Sequence, residues 1–154
     1  MKIQDTRAVI TGGVSGLGLA VARHLVAGGG KVALLDINDA KGADAVAELG
    51  VVLTIDDFGE GYSALNYLRR LPIHGLKLAQ PFLRGVPGNE SDAAICQAVA
   101  GIAHALGLDL VAEGVESSVQ RDFLMGLGVR TGQGFLFSPA LDPDAFAAYL
   151  RQTG

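Results

Sequence analysis

Strand-like and helix-like segments alternate six times along the 154 residues, and this alternation limits the fold more than any other feature. It is typical of a parallel sheet whose strands are connected by right-handed helical crossovers. With 49% hydrophobic residues, the chain can also bury a substantial core. We therefore predict one α/β domain over residues 1–154, with six βα units forming one mainly parallel sheet.

The predicted elements follow from apolar runs and from the residues that end them. Apolar runs predict strands at 8–11, 32–36, 51–55, 75–78, 110–112 and 134–137. Helical spacing predicts helices from about 15 to 27, 39 to 49 and 64 to 71, then a long helix capped by Ser91. A capping box from Ser117 to Gln120 begins a fifth helix, and Asp142 caps the last.

Helical spacing also predicts which side chains face the core. Five helices have an apolar stripe of this kind. The expected inward residues are Leu17, Val21 and Leu25 in the first helix, Ala43, Val46 and Ala47 in the second, Ile95, Val99, Ile102 and Leu106 in the long helix, Val119, Phe123, Leu124 and Leu127 in the next, and Phe146, Tyr149 and Leu150 in the last.

Composition excludes several classes of partner. A net charge of -4 and a pI near 5.2 argue against a basic nucleic-acid footprint. The single Cys96 cannot form an internal disulfide, and neither a leader pattern nor a membrane-spanning run is predicted. We expect a cytoplasmic protein with no nucleic-acid or membrane partner.

A glycine-rich turn, TGGVSGLG at residues 11–18, separates the first predicted strand from the first helix. Glycines at such a turn let the backbone approach a pyrophosphate, which free amides and the helix dipole favour. Asp36, after the second strand, can accept hydrogen bonds from a ribose and disfavours a 2′-phosphate. The pattern predicts a site for NAD rather than NADP, formed by Thr11, Gly12, Gly16, Leu17, Gly18 and Asp36.

Residues 7–50 resemble the first βαβα segment of the short-chain dehydrogenase/reductase family, whose fingerprint is Thr-Gly-x-x-x-Gly-x-Gly. That family uses a Ser, a Tyr and a Lys four residues after the Tyr. The residues four positions after Tyr62, Tyr67 and Tyr149 are Asn66, Leu71 and Thr153. Hydride transfer is therefore not expected. The other interpretation of the glycines is a tight strand-to-helix turn that binds nothing.

Two adjacent carboxylates, Asp56 and Asp57, follow the third predicted strand. Carboxylates at the carboxyl end of a strand suit hard divalent cations such as Mg²⁺ or Mn²⁺. With later motifs they resemble the second half of an EAL-type cyclic di-GMP phosphodiesterase, over residues 51–146. The resemblance is carried by DDFGEGYS at 56–63, LNYL at 65–68, LK at 76–77, VAEGVE at 111–116 and QGF at 133–135.

This second resemblance implies a fold and a set of roles. The family folds as a TIM-type barrel, so the whole chain is expected to join a Rossmann-like half to half of a barrel, open or imperfectly curled. The resemblance implies that Asp56 and Asp57 bind metal and that Lys77 assists the attacking water. It implies that the site is completed by Glu113, Glu116 and Gln133.

Two departures from the family pattern reduce the expected activity. The Glu-Ala-Leu motif, an Asn ligand and a Glu ligand of the family's first half have no counterpart in these 154 residues. Ala79 stands where the family has an acidic residue, two positions after the lysine. Metal ligation is then incomplete, and phosphodiester hydrolysis is not expected.

A structural interpretation of the same residues is preferred at this point. Asp56 and Asp57 can cap the following turn, and Lys77 can neutralise them across the end of the sheet. Glu113 and Glu116 can likewise cap the fifth helix.

The combined hypothesis is a chimera, engineered or recombined, of fragments 1–50 and 51–154 that meet at Gly50 and share one core, with no evolved catalytic function. It requires no cofactor. The alternatives are residual binding of NAD through the glycine-rich turn and a degenerate cyclic di-GMP phosphodiesterase or binder. Weak binding of Mg²⁺ or Mn²⁺ at the remnant ligands Asp56 and Asp57 is a separate possibility. Crossovers of both fragments place helices on one side, so the other sheet face must be covered in another way. The strands can curl into a small, imperfect barrel, rearrange so that some helices cross to the other face, or bury the open face in a homodimer.

Overall fold

The computed structural model of the chain describes residues 2–59 and 68–153, and the side chains through Arg151. The described residues divide into two compact units. The first comprises the described parts of Met1–Leu53 and Ser63–His74, and the second those of Thr54–Tyr62 and Gly75–Gly154. Parallel strands and helices in both units confirm the predicted α/β class.

The first unit contains two parallel strands, each followed by a helix. The strands pair in register from Arg7 opposite Lys31 to Thr11 opposite Leu35. Residues 68–70, at the end of the predicted helix 64–71, are helical, whereas 64–67 lie outside the described residues. In chain order, after a short 3-10 turn at Ile3–Asp5, the elements are β1 (Arg7–Thr11), α1 (Gly16–Ala27), β2 (Lys31–Leu35) and α2 (Asp39–Leu49).

The helices of this unit pack through small residues, which corrects the predicted stripes. Ala22 is the residue that α1 buries, whereas the side chains of Leu17 and Val21 are 82% and 42% exposed. In α2 the buried residues are Gly42 and Ala45, and Ala47 is exposed. Small side chains let a helix axis come close to its neighbour. This close approach favours burial of the small residues over burial of the larger ones.

The second unit is a four-stranded parallel sheet with helices. Its strand order follows the sequence, as expected for successive crossovers of one hand. A 3-10 turn at Gln80–Leu83 follows the second of these strands. The elements in chain order are β3 (Thr54–Phe58), β4 (Gly75–Leu78), α3 (Glu90–Leu106), β5 (Asp109–Glu113), α4 (Ser118–Gly126), β6 (Thr131–Gln133) and α5 (Pro143–Thr153).

The described strands form two hydrogen-bonded sheets, where one sheet was predicted. β3 begins three residues later than expected, at Thr54, and pairs with β4 from Thr54 opposite Gly75. β6 ends at Gln133, just before the predicted strand 134–137. Pairing depends on which backbone amides and carbonyls of distant segments meet, and local apolar runs do not encode this.

Leucines of β4 and small residues of α3 form the core of the second unit. Leu76, Leu78 and Leu83 are fully buried, and each contributes roughly 1.5–3 kcal/mol. The buried residues of α3 are Cys96, Val99, Ala100 and Ala103. The predicted stripe was therefore correct at Val99 and wrong at Leu106, which is exposed. In the last two helices Leu124 is buried as predicted, whereas Val119, Phe146 and Leu150 are more than half exposed.

Caps set the beginnings of these helices. The Asn89 side chain accepts hydrogen bonds from the amides of Ser91 and Asp92, so Asn89 rather than Ser91 caps α3. The capping box of Ser117 and Gln120 at α4 is confirmed, as is the cap by Asp142 at α5.

Within the described ranges, no helix is both long and apolar enough to span a bilayer.

Candidate functional site

A bulge at the carboxyl end of β3 brings two successive carboxylates to one place. Ile55 lies opposite Leu76 and Phe58 opposite Leu78, so β3 has one residue more than β4 between these pairs. Asp57 adopts a left-handed backbone conformation, with φ of 49°. Side chains of a regular strand alternate between faces, and a bulge breaks this alternation. Asp56 and Asp57 can therefore both face the same point.

Lys77 of β4 is placed between carboxylates of the two neighbouring strands. Its ammonium donates to Asp56 Oδ1 at 2.6 Å and also forms an ion pair with Glu113 Oε1 at the end of β5. The expectation that Lys77 neutralises a strand-end carboxylate is confirmed for Asp56 and extends to Glu113. For Asp57 the structure gives no ion pair with Lys77.

The ion pairs raise the pKa of Lys77. Partial burial of the ammonium lowers its pKa, but hydrogen bonds to Asp56 and Glu113, together with the charges of these residues, raise it by more. The Lys77 side chain is 26% exposed and that of Glu113 is 14% exposed. The ammonium is consequently held in the charged form beside the carboxylates.

Gln133 extends this cluster onto β6. It lies opposite Glu113 in the parallel register, and its side-chain amide donates to Glu113 Oε1 at 3.0 Å. The next residue, Gly134, has φ of 156°, and a Cβ there would collide with the backbone of Val115. The glycine therefore allows β6 to end tightly against the residues that follow β5.

A cavity of about 210 Å³ lies beside the cluster. Across it, Gln80 donates from its side-chain amide to Glu116 Oε1 at 3.2 Å. A Cβ at Gly114 would collide with the Gln80 side chain, so glycine is needed there. The lining residues are Gln80, Glu113, Gly114, Glu116, Gln133, Gly134 and Phe135.

The predicted caps of α4 by Glu113 and Glu116 are wrong. Ser117 caps the helix, and the backbone amides of Glu116 and Ser117 both donate to the Gln120 side chain. The two glutamates instead direct their carboxylates to Lys77 and Gln80. The local pattern suited a cap, but long-range partners at the sheet end determined where these side chains point.

Three carboxylates of the cluster can hold a cation. One oxygen from each of Asp56, Asp57 and Glu113 lies within 4.8 Å of the others. Oxygen ligands in such a group suit Mg²⁺ or Mn²⁺. Glu116 and Gln133 lie at the cavity and in the hydrogen-bond network, and neither is part of this three-carboxylate group.

The glycine turn of the first unit has the conformation that its sequence predicted. Gly12 and Gly16 have φ of 63° and 50°. A Cβ at Gly18 would collide with the carbonyl of Gly12, so only glycine lets α1 begin this close to the turn. Thr11 ends β1 opposite Leu35, and Leu17 points outward.

The carboxylate of Asp36 is hydrogen-bonded to this turn. Its carboxylate accepts hydrogen bonds from the amide of Val14 at 3.2 Å and from that of Asn38 at 3.0 Å. These hydrogen bonds, of which the one from Val14 has the largest effect, lower the pKa of Asp36 below its ordinary value. The carboxylate thus holds the turn, and the Val14 amide is already engaged.

Gln80 and Gln120 were not predicted to belong to the cavity and carboxylate cluster of the second unit. Gln80 follows β4 by two residues, and its position after a strand end was the available signal. Gln120 was predicted only as part of a capping box, and its hydrogen bond to the Leu83 carbonyl oxygen was not predicted. Phe135 is 71% exposed at the cavity. Residues 60–67 of the family resemblance lie outside the described residues.

The site defines a class of protein: a parallel α/β fold with carboxylates, a lysine and a glutamine at successive strand ends. The profile of the EAL domain family matches residues 33–140. The chain belongs to the EAL domain family. A short chain dehydrogenase profile matches residues 6–57. The two matches overlap over 33–57, and the predicted junction at Gly50 lies within this overlap.

Individual relatives agree with the family assignment. Cyclic di-GMP phosphodiesterase NbdA of Pseudomonas aeruginosa is 45% identical over 108 residues, which are 70% of this chain and 14% of NbdA. The chain thus spans a small part of this curated relative.

Solved structures are similar to this chain over most of its length. The EAL domain of Mycobacterium smegmatis DcpA has a TM-score of 0.79 and 30% identity, with 95% of this chain and 72% of that domain covered. The manganese and cyclic di-GMP complex of Klebsiella pneumoniae BlrP1 has a TM-score of 0.72 and 29% identity, with 85% of this chain and 38% of that protein covered.

Proposed function

We propose that this chain is a recombined EAL-family protein that lacks evolved catalytic turnover and retains one weak divalent-cation site. The observation that carries the proposal is the group of three carboxylates, Asp56, Asp57 and Glu113, whose oxygens lie within 4.8 Å of one another. The overlap of the two family matches around Gly50 supports a recombined origin from fragments 1–50 and 51–154.

The composition of the cluster supports cation binding without turnover. Asp56, Asp57 and Glu113 supply enough negative charge for one hard cation. Two-metal hydrolysis of a phosphodiester needs ligands for both ions, which together stabilise the attacking and leaving oxygens. The resemblance placed the further ligands in a segment with no counterpart in these 154 residues.

A turnover assay with a matched variant tests this proposal. The purified chain is incubated with cyclic di-GMP and Mn²⁺ or Mg²⁺, and the linear dinucleotide is separated by chromatography. We expect no more product than with Glu113→Gln, and we expect calorimetry to show one weakly bound Mn²⁺. Metal-dependent turnover that Glu113→Gln abolishes would refute the loss of catalysis, and the lack of any Mn²⁺ binding would refute the cation site.

A second candidate is binding of a cyclic dinucleotide at the cavity. Phe135 presents an exposed aromatic face beside Gln80 and Glu116, and amide groups there can bind a base or phosphate. The cavity of about 210 Å³ is below the roughly 300–1,000 Å³ of common ligand pockets. It would enclose part of the ligand, so binding should be weak. Calorimetry with cyclic di-GMP and Mn²⁺ should show binding that Phe135→Ala reduces, and an unchanged affinity would exclude this mode.

A third candidate is NAD binding at the glycine turn. The left-handed Gly12 and Gly16, with Gly18 closely packed, leave the backbone open to a pyrophosphate. The bond from Val14 to Asp36 competes with such binding, because a ribose would need the same carboxylate. Calorimetric titration with NAD tests this candidate. A binding heat that disappears in Asp36→Ala supports NAD binding at the turn. The lack of any binding heat would refute it and leave the glycines with a structural role.

A homodimer would cover the open face of β1 and β2. Val9 and Leu35 are 71% and 54% exposed on alternating positions of the two strands. Parallel sheets are usually covered on both faces. Size-exclusion chromatography with light scattering should show twice the monomer mass for the unmodified chain. Leu35→Lys should shift the species toward the monomer mass. A strictly monomeric species would refute the dimer.

A further inference from the structure

The open face of β1 and β2 has charges of opposite sign at its two ends and apolar side chains between them. Exposed and partly buried residues alternate along both strands. At the amino ends the exposed Arg7 lies opposite the exposed Lys31. Val9 and Leu35 are exposed further along the strands, and the exposed Asp36 directly follows Leu35. The face is therefore cationic at one end and anionic at the other.

The two cations at the amino ends lack a counter-ion. Neither Arg7 nor Lys31 forms an ion pair with any residue that the structure describes. Like charges directly opposite each other on neighbouring strands destabilise a sheet, and an anionic group over this end would relieve their repulsion. Asp36 at the other end is such an anion, since hydrogen bonds, chiefly from the Val14 amide, lower its pKa.

We propose that the open face packs against the open face of a second copy with the strands antiparallel, so that Arg7 and Lys31 of each copy lie over the Asp36 end of the other. The inference rests on the proposed homodimer and specifies how its two copies are oriented. A face with opposite charges at its two ends is complementary to itself, which is what an isologous contact requires.

Two orientations bring the same faces together, and charge distinguishes them. With a two-fold axis along the strands, the strands are parallel and Arg7 lies over Lys31 of the second copy, which gathers four cations in one place. With an axis across the strands, the strands are antiparallel, Val9 lies over its equivalent, and Lys31 lies over the Asp36 end of the second copy. Only the second orientation places each cationic end against a carboxylate.

Zero-length crosslinking of the unmodified chain tests this orientation. A carbodiimide joins a lysine amine to a carboxylate in contact with it, with loss of water. In a mixture of isotope-labelled and unlabelled chains, mass spectrometry should find Lys31 of one label joined to Asp36 of the other. The absence of this link in the dimer, or links from Lys31 only to other carboxylates, would overturn the orientation.

A charge-reversed variant gives an independent measurement. Arg7→Glu with Lys31→Glu makes both ends of the face anionic, so its dimer should have a dissociation constant about tenfold higher than that of the unmodified chain. Arg84→Glu with Arg130→Glu, at exposed positions of the second unit, changes the net charge equally and is the matched control. Equal dissociation constants for the two variants, measured by light scattering on dilution, would contradict the proposed charge pairing.

The homodimer and its orientation fail in distinguishable ways. If the unmodified chain is strictly monomeric, both are refuted. If it forms a dimer that Leu35→Lys weakens but that contains no link from Lys31 to Asp36, the homodimer stands and the antiparallel orientation is refuted.

Discussion

The side-chain amide of Gln120 donates a hydrogen bond of 2.8 Å to the carbonyl oxygen of Leu83. At its other end the Gln120 carbonyl oxygen accepts from the amides of Glu116 and Ser117. One buried side chain thereby joins the beginning of α4 to the 3-10 turn that carries Gln80. Both sides of the cavity depend on this connection.

Replacing Gln120 with Met should destabilise the protein. The change keeps the shape of the side chain but leaves the buried Leu83 carbonyl without its donor, which costs about 1–3 kcal/mol. Urea unfolding followed by circular dichroism measures the loss. Gln97→Met, at an exposed position of α3, is the control and should have little effect. Equal stability of the two variants would contradict the role of Gln120.

Asp57 combines a cation ligand with an unfavourable backbone, and substitutions separate these two properties. Asp57→Ala should lower the free energy of unfolding by about 1–2 kcal/mol relative to Asp57→Gly, because Ala tolerates φ of 49° poorly. Both variants lose a carboxylate and should bind Mn²⁺ more weakly. Chemical denaturation and calorimetry give the two quantities. Equal unfolding free energies for Ala and Gly would mean that the backbone relaxes at this position.

The cap of α3 offers a direct comparison between two neighbouring residues. Asn89→Ala should destabilise the protein by about 1 kcal/mol, because two amides of the first turn lose their acceptor. Ser91→Ala should change the stability by less, since Ser91 lies within the helix. Thermal denaturation of the two variants ranks them. A larger loss for Ser91→Ala would instead support the cap expected from the sequence.

Asp36 should contribute to the acid sensitivity of the protein. Its pKa is lowered by hydrogen bonds, chiefly from Val14, so its contribution to stability is present above the ordinary value of about 3.9. That contribution is lost as the pH falls through the lowered pKa of the folded state. Asp36→Asn should therefore show a weaker fall in melting temperature on acidification, whereas Asp44→Asn, on the exposed side of α2, should follow the unmodified chain. Parallel melting curves of Asp36→Asn and the unmodified chain would refute this role.

Much of the local structure could be predicted because short-range chemistry determines it. The capping box of Ser117 and Gln120 and the cap by Asp142 need only neighbouring amides. Gly12 and Gly16 were recognised from the glycine pattern between a strand and a helix, and both have a positive φ. β4 was predicted with its observed limits, Gly75–Leu78.

The inward faces of the helices could be predicted only in part. Periodicity identifies an apolar stripe but not the distance at which it packs. Ala22 and Ala103 are buried where larger neighbours such as Leu17 and Leu106 remain exposed. Close packing between elements selected the small residues, and this selection depends on partners that are distant in the sequence.

The amino-acid sequence by itself determined the order of strands and helices, most of the helix ends and the residue types at the strand ends, because these depend on neighbours in the chain. Only the tertiary structure decided that β3 pairs with β4, that a bulge directs Asp56 and Asp57 together, and that Lys77 meets Glu113. Such contacts arise when backbones distant in sequence align, and the alignment minimises the free energy of a whole unit rather than of a segment.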